Sequence, residues 1–188
     1  VSGFCCKIVV GSAALQDKDD KMGYSLEQFS SECHRILAAD SGVEGRKEVC
    51  TLVREVLKDD EFVARHLADN VPDRKVLYED RQLGFCILGH VFHGAKNSEP
   101  HDHGPSWAIY GQARGETIMT DYEAVARPGE GKPGKARPGK DYRLTPGMAY
   151  LYNEGDLHSP RREGTTKLIR IEGMNMEKVQ RLPYDRVT

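Results

Sequence analysis

Pro100-His101-Asp102-His103-Gly104-Pro105-Ser106-Trp107 sets two imidazoles two residues apart in a run that reads as β-strand. Side chains alternate across a strand, so His101 and His103 project from one face and Asp102 from the other. Two neutral imidazole nitrogens on one wall can share a divalent ion, and imidazole suits zinc, copper, iron and nickel. A third candidate, His158, belongs to a second strand-like run, His158–Arg161.

Outward from this stretch the chain divides by periodicity. Strands are expected at Lys75–Tyr78, Leu83–Phe92, His101–Gln112, Glu116–Glu123, Asp141–Leu144, Met148–Tyr152, His158–Arg161 and Lys167–Glu172, with Gly, Pro, Asn and Asp between them. Short strands with turn signals predict a mainly β closed sandwich or jelly roll. The first third reads as helix instead. Ser25 with Gln28 forms a capping-box pattern ahead of Leu26, Phe29, Cys33, Ile36 and Leu37 at helical spacing. A second helix is expected over Arg46–Lys58 and a short third over Asp60–Leu67, ended by Pro72. Residues 1–72 are therefore a helical segment packed on a barrel of residues 73–188, within one structural domain. The segment Arg127–Lys140 contains three Pro-Gly pairs and is expected to be a solvated connection, its rival reading being a basic flap over the barrel mouth.

Composition narrows the function classes. The 188 residues carry 27 basic and 29 acidic side chains, a net charge of −2, which gives no general reason to bind nucleic acid. No apolar run approaches a membrane span. The five cysteines (Cys5, Cys6, Cys33, Cys50, Cys86) form no CxxC pair, so they suggest neither a disulfide framework nor a cysteine-rich zinc site. Small buried thiols in a cytoplasmic protein are expected.

Gly94, His101, His103, Gly111 and Gly115 follow the order glycine, HxH, glycine after the next strand; Pro146-Gly147 and Tyr152-Asn153-Glu154-Gly155-Asp156-Leu157-His158 follow later. These two runs resemble the two motifs of the cupins, over about Val76 to Ile171. The resemblance implies a double-stranded β-helix, or jelly-roll barrel, with metal on His101, His103 and His158. Cupins commonly add a glutamate four or five residues after the HxH pair; here those positions are Trp107 and Ala108, which leaves three histidines. In this respect the chain is similar to the thiol dioxygenases of the cysteine dioxygenase type. That likeness implies Fe(II) and the insertion of both atoms of O₂ into a small anionic thiol; zinc, nickel or manganese are the other divalent ions such ligands take. A homodimer is compatible with it.

The charge argument agrees. Three neutral ligands leave the ion its full double charge, which favours an anionic chelating substrate and deprotonates a bound thiol. The family's carboxylate-binding arginine, on an early strand, falls nearest Lys75, with Arg74 beside it. Tyr110 and Phe92 are expected to line the pocket and Trp107 to pack between the sheets. The family's Ser-His-Tyr relay is absent, since its positions read Ile171, Gly173 and Asn175, and no residue is assigned a catalytic role. A cupin of another class (diketone dioxygenase, lyase or isomerase) and a non-catalytic small-molecule binder are the alternatives.

Overall fold

The computed structural model describes residues 23–129 and 131–187; Cys5 and Cys6 lie outside them. Among the described residues three α-helices come first: α1 (Leu26–Ala39), α2 (Val43–Val56) and α3 (Asp60–His66). The capping box on α1 is formed, with Gln28 N–H donating to Ser25 Oγ at 3.0 Å and Ser25 N–H donating to Gln28 Oε1 at 2.8 Å. Asp59 caps α3 by accepting from the backbone N–H of Glu61 and Phe62. These side-chain acceptors satisfy first-turn donors that have no intrahelical partner.

Ten strands follow among the described residues: β1 (Lys75–Glu79), β2 (Cys86–Phe92), β3 (Lys96–Asn97), β4 (Ala108–Arg114), β5 (Thr117–Ala126), β6 (Gly134–Leu144), β7 (Ala149–Tyr152), β8 (Leu157–Arg162), β9 (Thr166–Glu172) and β10 (Tyr184–Arg186). They form two five-stranded sheets, ordered β1-β2-β9-β4-β7 and β10-β6-β5-β8-β3. The runs β2-β9-β4-β7 and β3-β8-β5-β6 have the strand order of a double-sheet jelly roll, the mainly β architecture expected.

Parity along the first sheet decides what faces the site. Ile87, Val91, Ile109, Ile169 and Ile171 join the α1–α3 side chains Phe29, Val53 and Phe62 in one buried cluster. The alternate residues Ala108, Tyr110 and Leu168 point the other way and meet Met119 and Leu144 of the second sheet. The helices thus cover one face of the first sheet, and its other face is left for the interior. Gly111 permits the close approach of α2: a Cβ there would stand 2.5 Å from Val53 Cγ1. Trp107 lies on the helix side, beneath the Arg46 guanidinium at 5.5 Å, rather than between the sheets. Its parity is opposite to Ala108 and Tyr110, and that face belongs to the helices.

Two long segments depart from the sequence expectation, and the short strands β3 and β10 are not among the strands expected. Gly134–Lys140 is strand, because β6 pairs with β5 on one side and, in parallel, with β10 on the other. Backbone pairing orders a stretch that has little apolar area of its own. Only residues 127–133 connect β5 to β6, and Arg137 faces Glu123 at 3.6 Å rather than the interior cavity. The strand expected from His101 begins at Ala108 instead. His101 makes one isolated antiparallel bridge to His158, exchanging two N–H to carbonyl bonds of 3.0 Å, and the chain then turns. Asp102 supports the turn by accepting from Gly104 N–H at 2.9 Å. Cys33, Cys50 and Cys86 are buried free thiols, and burial pushes each above its usual pKa.

Candidate metal centre

The His101–His158 bridge ties the start of one motif to the third imidazole, and the turn through Asp102 brings His103 beside them. One ring nitrogen from each of the three lies within 4.8 Å of the others. The ring centroids are 4.8 Å apart for His101 and His158, 5.1 Å for His103 and His158, and 5.8 Å for His101 and His103. Tyr152 stacks on His158 at 3.9 Å and fixes its plane.

Hydrogen bonds decide which nitrogens are free. His101 Nδ1 lies 2.8 Å from the Glu99 carbonyl and His158 Nδ1 lies 3.0 Å from the Asp156 carbonyl. A carbonyl only accepts, so both rings carry hydrogen on Nδ1 and present a bare Nε2. The Nε2 atoms of His103 and His158 are buried without a hydrogen-bond partner. Burial carries a cost for such atoms unless something binds them. The donor set, its spacing and the bare, unpartnered Nε2 of His158 fit a divalent ion held by His101, His103 and His158, with His103 moving its ring hydrogen to Nδ1 when its Nε2 ligates. Holding the distal Nδ1 on a carbonyl is a common way to orient a metal-binding imidazole.

Electrostatics keep the rings neutral. Burial pushes His101 down to about 4, against the opposing pull of the Glu99 carbonyl. His103 and His158 lie further below the usual histidine range, again through burial first, with Arg170 and the neighbouring imidazoles adding to it. Protons therefore compete little for these nitrogens near neutral pH.

Of the three, His101 lines a cavity of about 610 Å³, together with Arg74, His90, Phe92, Tyr110 and Arg170, and with Arg162 and Arg181. Three of the four expected substrate-side residues, Arg74, Phe92 and Tyr110, line it. Lys75 does not; it is exposed at the start of β1, where its backbone pairs with Gly89. Arg74 is already engaged, with Glu172 at 3.0 Å, Glu177 at 2.7 Å and Asn175 at 3.1 Å. Arg170 joins Glu172 at 3.1 Å and donates to His103 Nδ1 at 3.1 Å, its guanidinium lying 4.6 Å over Tyr110. Arg162 packs 4.3 Å over Phe92.

Arg162 and Arg170 escaped the sequence reading, although a signal for them exists. His158, Pro160 and Arg162 share strand parity, as do Leu168, Arg170 and Glu172, so a metal-facing His158 sends Arg162 inward as well. Charged residues at inward positions of a predicted strand mark a site rather than a core.

The chain is thus a jelly roll with a three-histidine group that could hold a divalent metal, open to an arginine-lined cavity. No protein-family model matches it, and no curated protein matches it. Among solved structures it is similar to a cupin superfamily protein of Desulfitobacterium hafniense, at 13% identity and a TM-score of 0.42, over 57% of this chain and 81% of that one. It is also similar to KdgF from a Halomonas species (15% identity, TM-score 0.41, 56% of this chain and 82% of that one). A further likeness is to the Cnp3 cupin domain of Schizosaccharomyces pombe (7% identity, TM-score 0.41, 56% of this chain and 66% of that one). No helix among the described residues is long and apolar enough to cross a membrane.

Proposed function

We propose that this protein is a cupin-type, metal-dependent oxygenase with Fe(II) on His101, His103 and His158, and that it converts a small anionic thiol and O₂ into the sulfinic acid. One observation carries the reading: three neutral imidazoles, those of His103 and His158 fully buried, converge with no carboxylate among them, at the edge of a cavity rich in arginine. When bound, the iron would supply a coordination site for thiolate and O₂ together and a source of transferable electron density. The balance needs no other reductant, since RSH + O₂ gives RSO₂H with both oxygen atoms on sulfur.

The protein's own residues prepare this chemistry. The Glu99 and Asp156 carbonyls hold two rings with Nε2 bare. Tyr152 and Tyr110 wall the histidines on the interior side, with Tyr110 5.5 Å from His158 and 5.9 Å from His103 between ring centroids. These aromatic walls limit water around the reacting sulfur. The arginines attract an acid and discriminate against neutral thiols.

The test is O₂ consumption by the iron-loaded chain with mercaptoacetate, alongside product analysis. Stoichiometric O₂ uptake and sulfinate formation are expected, abolished in His158→Ala. Turnover of a substrate without O₂ would instead favour a lyase or isomerase on the same ligands, and binding without turnover a non-catalytic role.

A further inference from the structure

Arg162 is 4% exposed, yet no carboxylate among the described residues lies within ion-pair distance of it. Its guanidinium packs on the Phe92 ring, and its Nε–H is buried with no acceptor among the described residues. A buried charge is normally paired, because water no longer solvates it and an unpaired charge in low dielectric is costly. Burial does push its pKa down, to about 10, with Arg170 adding to the shift and Tyr110 and the more distant Asp73 carboxylate, itself paired with Lys96, opposing it, so the group stays charged at neutral pH.

The surroundings point the unmet charge at the cavity. Arg162 and Arg170 both line it, and Arg170 Nε–H is likewise buried without an acceptor. The buried acid nearby, Glu172, is shared between Arg74 and Arg170, and Arg74 takes a second carboxylate from Glu177. Arg162 is left over. It lies four residues beyond His158 on β8 with the same parity, roughly 13 Å along the strand at about 3.3 Å per residue.

We propose that Arg162, assisted by Arg170, is the oxyanion anchor of this cavity, and that the ligand is an acid whose carboxylate or phosphate sits on the β8–β9 wall while its other end meets the histidines. The anchor thereby replaces both early-strand candidates: Lys75 is outside the cavity and Arg74 is saturated. It rests on the proposed function only for the metal-binding end of the ligand. A planar guanidinium with free donors suits the two oxygens of either acid.

Calorimetric binding to the full chain, loaded with redox-inert zinc and again metal-free, tests it. Mercaptoacetate is expected to bind in preference to mercaptoacetamide in both forms. Arg162→Met should weaken mercaptoacetate by about tenfold or more, the scale of a lost charge-assisted contact, and leave the amide unchanged. Its metal content and thermal midpoint should stay near wild type, since no ion pair is lost. Arg162→Lys keeps the charge without the fork and should weaken the acid by about three- to tenfold; it carries the test if the methionine variant does not fold. Inorganic phosphate separates the two sources: tighter binding than mercaptoacetate, lost with Arg162, identifies a phosphate ligand, and the reverse order a carboxylate. Equal binding of acid and amide by the wild type, or wild-type acid affinity in the variants, overturns the anchor. Absent O₂ uptake with an intact acid preference would overturn the oxygenase reading and leave the anchor standing.

Discussion

Arg170 donates from Nη2 to His103 Nδ1 at 3.1 Å, so a fixed cation occupies the distal side of a candidate metal ligand. The other two imidazoles donate there to the Glu99 and Asp156 carbonyls. A His103 ring that ligates through Nε2 carries its hydrogen on Nδ1, which sets donor against donor. Metal loading is therefore expected to draw Arg170 off His103 and toward the cavity or Glu172. Arg170→Met should tighten zinc binding by about three- to tenfold, through loss of a nearby positive charge. A chelator-competition titration measures this, and weaker binding in the variant would show that Arg170 supports the ligand instead.

Acid sensitivity should set in within the histidine range. Burial holds His90 at about 3 and His101 at about 4, both below the ordinary value. A base with a lowered folded pKa leaves the unfolded chain binding more protons, so stability falls as pH drops below about 6.5 and continues to fall until the folded pKa is reached. Each such group removes up to about 1.4 kcal/mol per pH unit in that window. The metal-free chain should lose thermal midpoint steadily from pH 6.5 downward, and zinc should move that loss to lower pH. A midpoint independent of pH between 6.5 and 5 would contradict the buried neutral imidazoles.

Asp80 is expected to be the most sensitive polar side chain outside the cavity. It accepts from Leu83 N–H at 2.7 Å, Gln82 N–H at 2.9 Å and Tyr78 Oη–H at 3.0 Å, and contacts His34 Nδ1 at 2.8 Å, tying α1 to the β1–β2 turn. Burial alone would raise its pKa, but the Leu83, His34 and Gln82 hydrogen bonds outweigh it and hold the group at about 2. Its contribution is present above the unfolded carboxylate value near 4 and is lost as pH falls through about 2. Asp80→Ala should cost about 2–4 kcal/mol in denaturant unfolding, since it leaves several donors unmet at once.

Gly111→Ala tests the helix-to-sheet packing. The added methyl would meet Val53 Cγ1 at 2.5 Å, Leu57 Cδ1 at 3.1 Å and the Ile169 carbonyl at 3.2 Å. A loss of about 1–3 kcal/mol is expected from overpacking, with zinc affinity unchanged because the contact lies on the far face of the sheet. Lost zinc affinity in a folded variant would mean that the helices position the metal centre.

How far the sequence could be read depended on which interactions were local. Ser25 with Gln28 and the alternation along β2 and β9 are short-range patterns, and they placed the helices and most strands within a few residues. The His101, His103 and His158 group was legible through its two motifs, although a turn rather than strand parity brings His101 and His103 together. Gly134–Lys140 was not, because its order comes from pairing with β5 and β10, which no local pattern records. The anion side depends on the fold for a related reason. Lys75 and Arg74 match by position in the chain, whereas Arg162 becomes significant only when the fold buries it without a counter-ion.

The most direct test of the central claim is metal content of the full chain after anaerobic Fe(II) loading and desalting, compared with His101→Ala, His103→Ala and His158→Ala. A stoichiometric ion in the wild type, and near-total loss in each folded variant, is the predicted result. Wild-type iron content in any one of the three variants, or retention that depends on Glu99, Asp102 or Asp156, would contradict a centre built on three histidines.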